Sequence, residues 1–160
     1  MDLILWRHAD AEDGDDAPRD DLKRKLTPRG ERQATRVALW LHRQMPEGVR
    51  ILVSPAVRAQ RTASKLERKF TTLETVGPQA KATDLLQASG WPDGRRTVLL
   101  VGHQPALGEL ASLLLTGREA AWTIRKGAVW WLRHRSNESE RDSEGRAETY
   151  LVCVQSPETM

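Results

Sequence analysis

Cysteine is almost missing from this chain of 160 residues: Cys153 is the only one. A single cysteine excludes an internal disulfide framework, and its place in the apolar run Tyr150-Leu151-Val152-Cys153-Val154 predicts a buried small hydrophobe. Long apolar runs are missing too. No stretch approaches the ~20 residues of a membrane span, and Asp2 stands where a secretory signal would carry lysine or arginine. A cytoplasmic protein with no membrane partner is therefore expected. Nor is there a large excess of one charge, since 25 basic residues face 22 acidic ones for a net +3, which gives composition no argument for nucleic acid. The length predicts one domain over residues 1–160, large enough to bury about two thirds of its unfolded surface.

What the chain does have is a set of short apolar runs that each stop at chemically capable residues. Leu3-Ile4-Leu5-Trp6 reads as a buried strand ending at Arg7-His8. Arg50-Ile51-Leu52-Val53 runs into Ser54-Pro55-Ala56-Val57-Arg58, and Thr97-Val98-Leu99-Leu100-Val101 runs into Gly102-His103. Ligands of open α/β sheets bind beyond the carboxyl ends of the strands, so this pattern would deliver two arginines and two histidines to one edge.

Helical signals alternate with these runs. Thr27-Pro28 supplies an N-cap and a first-turn proline, and Ala34, Val37, Ala38, Leu41 and Met45 follow at helical spacing until Pro46-Glu47-Gly48. Arg29, Arg32, Arg36 and Arg43 occupy the other side, where a solvated face or a patch for an acidic partner would both fit. Pro55 opens a second helix with Ala59, Thr62, Ala63, Leu66 and Phe70 inward, and Arg58 in its electropositive first turn, where a phosphate is favoured over an ion pair with the acidic loop. Pro105 opens another, carrying Ala106, Leu107, Leu110, Ala111 and Leu114.

The connecting pieces are less regular. Ala9 to Asp16 is an acidic loop without a calcium-binding register. Residues 71–96 offer a strand at Leu73-Glu74-Thr75-Val76, a turn at Gly77-Pro78, a helical piece around Asp84-Leu85-Leu86, and a loop in which Trp91 either rims a pocket or packs. Ala128 to Arg133 and Thr149 to Val154 read as an antiparallel strand pair closing one edge, joined by the charged loop His134 to Arg146. His42 and His134 fall away from the strand ends. The expected fold is α/β, a three-layer sandwich with a mostly parallel central sheet and an antiparallel edge.

Arg7-His8, Ser54-Pro55-x-x-Arg58-x-x-x-Thr62 and Gly102-His103, in that order and each after an expected strand, resemble the histidine phosphatase (phosphoglycerate mutase-like) superfamily. Leu26-Thr27-Pro28-x-Gly30 and the short length resemble its small SixA-type branch, the phosphohistidine phosphatases. The resemblance implies that His8 attacks phosphorus and becomes a phosphohistidine, that Arg7, Arg58 and His103 bind the phosphoryl oxygens, and that water then releases phosphate. It implies no cofactor and no metal, and a zinc site is disfavoured because the flanking arginines would repel a dication. Larger relatives insert a helical lid where this chain has little room for one, so an open site with no lid domain is expected. Many relatives carry an acidic general acid before the fourth strand; Asp84 is nearest by position, and a helix cap is its other natural role. The family's usual glycine after Arg-His is Ala9 here, which predicts a shifted loop or a narrowed pocket.

A P–N bond to imidazole leaves with little help, because the departing ring has a pKa near ~6.5. The implied activity is thus a metal-independent protein phosphohistidine phosphatase, its partner a histidine phosphotransfer domain or similar phosphohistidine-carrying protein. Two other readings use the same residues, a small-molecule phosphomonoesterase and a non-catalytic phosphate or phosphoprotein-binding module, and a further one is nucleic-acid binding through the arginine-rich helix and Trp130-Trp131. The last is weakened because neighbouring strand residues face opposite sides.

Overall fold

The computed structural model describes residues 1–13, 19–135 and 148–160. Most of the charged loop expected between the last two strands, and part of the acidic loop after His8, lie outside the described residues. Six strands form one sheet: β1 (Asp2–Arg7), β2 (Arg50–Val53), β3 (Thr71–Thr72), β4 (Val98–Gly102), β5 (Val129–Arg135) and β6 (Glu148–Gln155). Their order is β3-β2-β4-β1-β5-β6. The pairs β3/β2, β2/β4 and β4/β1 are parallel, while β1/β5 and β5/β6 are antiparallel. The mostly parallel sheet with an antiparallel edge is the expected arrangement.

Alternation along the central strands builds the layers. Leu3 and Leu5 of β1, with Val98 and Leu100 of β4, enter a core shared with Leu85, Leu107 and Leu110. Ile4 and Trp6, with Leu99 and Val101, enter the opposite core with Val37, Leu41, Ala59 and Ala63. Helices α1 (Pro28–Gln44) and α2 (Val57–Ser64) therefore cover one face, and α3 (Ala82–Ser89) and α4 (Ala106–Thr116) the other. Leu3, Ile4, Leu5 and Trp6 are all fully buried. At about 1.5–3 kcal/mol for each large apolar side chain removed from water, β1 is the strand whose position the core dictates most strongly.

Several local expectations are corrected. The strand expected at Leu73-Glu74-Thr75-Val76 is a 3-10 turn over Glu74–Val76, preceded by the two-residue β3. Leu73 still donates to Val53, but Val76 turns back to donate to Leu73 and buries its side chain, which ends the pairing. Helix α2 stops at Ser64, so Phe70 reaches the core from the following segment and not from a helix face. Trp91 packs edge-on against His134, with ring centroids 5.6 Å apart, and against the α3/α4 core. It is not at the rim of the site. Cys153 is half-buried against the other core, and burial raises its thiol pKa. Trp131 is buried and Trp130 half-buried, each facing a different core. Among the described residues, no helix is long and apolar enough to cross a membrane.

Candidate active site

Parallel register puts the carboxyl ends of β1, β2 and β4 side by side, and backbone bonds lock the residues that follow them. His8 N–H donates to Gly102 at 3.1 Å, and Ser54 N–H donates to Val101 at 3.0 Å. His8 and His103 are thereby brought together, with ring centroids 5.1 Å apart and planes tilted by 51°. Both rings are buried, at 6% and 5% exposure.

The protonation state of His8 follows from one bond. Its Nδ1 lies 2.7 Å from the carbonyl oxygen of Ala9. A carbonyl only accepts, so Nδ1 carries the proton and Nε2 is left with its lone pair. Burial pushes the His8 pKa down to about 3; the Ala9 carbonyl opposes this, and His103, Arg58 and Arg7 add to it. The ring is neutral near pH 7 and has a free nucleophilic nitrogen.

Ala9 fits its position without distortion. It does not adopt a left-handed backbone, and its buried methyl group packs in a small cluster with Ala11, Leu26 and Ala34. Its N–H donates to Thr62 Oγ1 at 3.0 Å, and Thr62 in turn donates to the Arg58 carbonyl at 2.8 Å. The His8 loop is thus pinned to the first turns of α2. The Thr27-Pro28-x-Gly30 turn secures the next residue: Thr27 donates from its backbone and its hydroxyl to Asp10, at 3.1 and 2.8 Å. A Cβ on Gly30 would lie 1.9 Å from the Asp10 carbonyl oxygen, so only glycine permits this approach.

His103 Nε2 lies 2.7 Å from Ser54 Oγ, which also accepts from Ala56 N–H at 3.1 Å. The Nδ1 of His103 is buried without a partner among the described residues. Burial, followed by the Arg58 charge, lowers the His103 pKa to about 3, while Asp21 pulls the other way.

The two arginines share one pattern. Arg7 donates from Nη1 to the Ile124 carbonyl at 2.9 Å. Arg58, 3% exposed in the first turn of α2, donates from Nη1 to the Asp21 carbonyl at 2.8 Å and from Nη2 to the Asp21 carboxylate at 3.0 Å. Both keep a buried Nε with no partner among the described residues. Burial lowers both guanidinium pKa values, in Arg58 against the opposing pull of Asp21. Arg58 is thus ion-paired, but with Asp21 of the stretch that follows the acidic loop.

Asp84 is not brought to the histidine pair by any hydrogen bond among the described residues. Its carboxylate accepts from the Lys81 N–H at 2.8 Å and caps its own helix. The residues that sequence reasoning did not assign to the site are Asp21 and Gln104. Gln104 donates to the Trp122 carbonyl at 2.7 Å and accepts from Gly108 N–H at 3.0 Å, which braces the segment leading to Ile124 and hence Arg7. The sequence carries no local signal for either contact. Among the described residues, no three histidine, cysteine or acidic side chains come together as a metal site.

Residues 3–79 match the family model described as histidine phosphatase superfamily (branch 1). The chain is 34% identical over 130 residues to a phosphohistidine phosphatase SixA homolog of Haemophilus influenzae, covering 71% of this chain and 77% of that protein. It is 31% identical over 126 residues to the phosphohistidine phosphatase SixA of Escherichia coli, covering 73% and 76%. In fold it is similar to a solved structure of the protein histidine phosphatase SixA complexed with tungstate, with a TM-score of 0.77 over 99% of both chains at 24% identity.

Proposed function

The chain belongs to the histidine phosphatase superfamily and its SixA-type branch, and from that premise we propose that it removes phosphate from a phosphohistidine carried by a partner protein. One observation carries this reading most directly. Among the described residues, the buried side-chain nitrogens and oxygens left without a hydrogen-bond partner are Arg7 Nε, Arg58 Nε and His103 Nδ1. An unmet buried polar group costs about 1–3 kcal/mol. Three of them within one cluster of cationic and imidazole groups make a site that a multiply charged oxyanion would complete.

In this reading His8 Nε2 attacks phosphorus in line with the bond to the substrate imidazole. The P–N bond breaks, its electron pair returns to the departing ring, and the phosphoryl group stays on His8 Nε2. The Nδ1–H bond to Ala9 keeps the nucleophilic nitrogen outward during the step. Arg7 and Arg58 hold equatorial oxygens through donors that never lose their charge. The incoming phosphate favours the His103 cation, since a dianion beside a depressed imidazole raises its pKa. Water then attacks the phosphoryl-His8, releasing inorganic phosphate and restoring the free ring. The departing imidazole takes its own proton from solution in the open site. A role for Asp84 as proton donor would require its carboxylate to leave the Lys81 cap.

The experiment is to incubate the protein with a histidine-phosphorylated carrier protein and follow phosphate release beside a His8→Ala control. Release by the native chain, and loss of at least ~10³-fold in the control, are expected. A folded native chain that binds phosphate but releases none from any phosphohistidine protein would make it a binding module instead.

A further inference from the structure

Helix α1 sets Arg29, Arg32 and Arg36 on one exposed stripe at spacings of three and four, on the side away from buried Val37 and Leu41. The stripe walls a hollow closed by Pro157 and Glu158. A second hollow shares Arg29 and Glu158 and continues past Arg125 to Arg7 of the candidate site. The groove therefore runs from a basic helix face to one of the phosphate-clamping arginines.

A segment with one acidic side chain, Glu158, already lies in it, supplied by the chain itself. Glu158 accepts from Gln33 at 3.2 Å and from Arg29 at 3.5 Å, and the neighbouring Pro157 carbonyl accepts from Arg36 at 2.8 Å. The Ser156 hydroxyl, chiefly, and then Arg125 and Arg29 hold the Glu158 carboxyl below its ordinary pKa, against a smaller effect of burial. Its contacts are half exposed, so a competing carboxylate can replace them at low cost. Arg32 and Arg125 make no ion pair among the described residues. A solvated helix face explains the stripe alone. It does not explain a groove that opens onto Arg7 and seats an acidic segment with positive charge to spare.

We propose, building on the phosphatase reading, that this groove docks an acidic segment of the phosphorylated partner protein, and that Glu158 holds that position in the free protein. The test compares the native chain with an Arg32→Glu, Arg125→Glu double variant on two substrates: phosphoimidazole, and a histidine-phosphorylated phosphotransfer domain of net negative charge. Carrier binding is measured in parallel by fluorescence anisotropy at low and high salt. The double variant is expected to bind the carrier ~10-fold or more weakly and to lose kcat/KM on it through KM, with phosphoimidazole hydrolysis unchanged. High salt should weaken carrier binding to the native chain in the same way, and Glu158→Gln should strengthen it several-fold. Unaltered carrier binding, or equal loss on both substrates, overturns the docking surface. Failure of the native chain to hydrolyse either substrate would instead overturn the phosphatase reading, and the anisotropy arm would still decide the docking.

Discussion

The two ends of the central sheet treat charge in opposite ways. At the amino end, Asp2 accepts from Arg133 Nε and Nη2 at 2.6 and 2.7 Å and from Trp131 Nε1 at 2.9 Å. Met1 and His134 exchange backbone bonds beside it. Burial would raise the Asp2 pKa, but these donors outweigh it and the carboxyl sits below its usual range. At the carboxyl end, Arg7, Arg58 and His103 are packed together with one nitrogen each unmet. Both ends are rich in arginine, so arginine content does not distinguish them. What marks the carboxyl end, where we place the phosphate site, is buried nitrogen that has no partner among the described residues.

That contrast can be broken by exchanging the consequences of mutation at the two ends. Arg7→Ala should lower kcat/KM on phosphoimidazole by ~10²–10³-fold, the range for losing a preorganised donor at a developing charge. Its unfolding free energy in urea should change by no more than ~1 kcal/mol, because the lost bond to Ile124 is offset by removing a buried cation with an unmet donor. Asp2→Ala should do the reverse. It strips the acceptor from a half-exposed Arg133 and from the Trp131 indole, costing about 1–3 kcal/mol in urea unfolding, with kcat/KM within about twofold of native. Parallel loss of stability and activity in both variants would show that the two ends are one cooperative structure and not a structural end and a working end.

How much of this was readable in the sequence depended on whether the information was local. The strand ends were legible, because Arg7-His8, Ser54 and Gly102-His103 each interrupt an apolar run, and parallel pairing does the rest. The cap at Thr27 and the start of α1 were legible for the same reason. Asp21 was not: its partner Arg58 is 37 residues away, and nothing at either position announces the pairing. Asp84 was assigned by position alone, and local chemistry claimed it for the first turn of α3. At Ala9 the backbone is not left-handed, so glycine's freedom is not needed there. The close approach in this loop falls instead at Gly30, against Asp10.

The smallest expected effect tests the unmet nitrogens through protons. In the folded protein His8 and His103 both have pKa values pushed down to about 3 by burial, whereas in an unfolded chain each titrates near ~6.5. Between those values the unfolded state binds more protons, so stability falls as pH drops through the upper one. From about pH 7 to about pH 6 the loss is ~0.7 kcal/mol for each histidine. Asp2 is also held low, and its contribution is lost only at more acidic pH, through the carboxylate range, so the two processes separate. Urea midpoints of native protein minus those of His103→Asn isolate the share of His103. Inorganic phosphate sharpens the result, because an anion on the site favours the protonated His103 and lets the folded state take up the proton it otherwise refuses. The pH-dependent loss should therefore shrink when phosphate is added to the native chain, and stay as it was in Arg7→Ala if that variant no longer holds the anion. A native chain whose pH dependence ignores phosphate would mean that the three nitrogens are unmet for packing reasons alone, and the two ends of the sheet would no longer differ in kind.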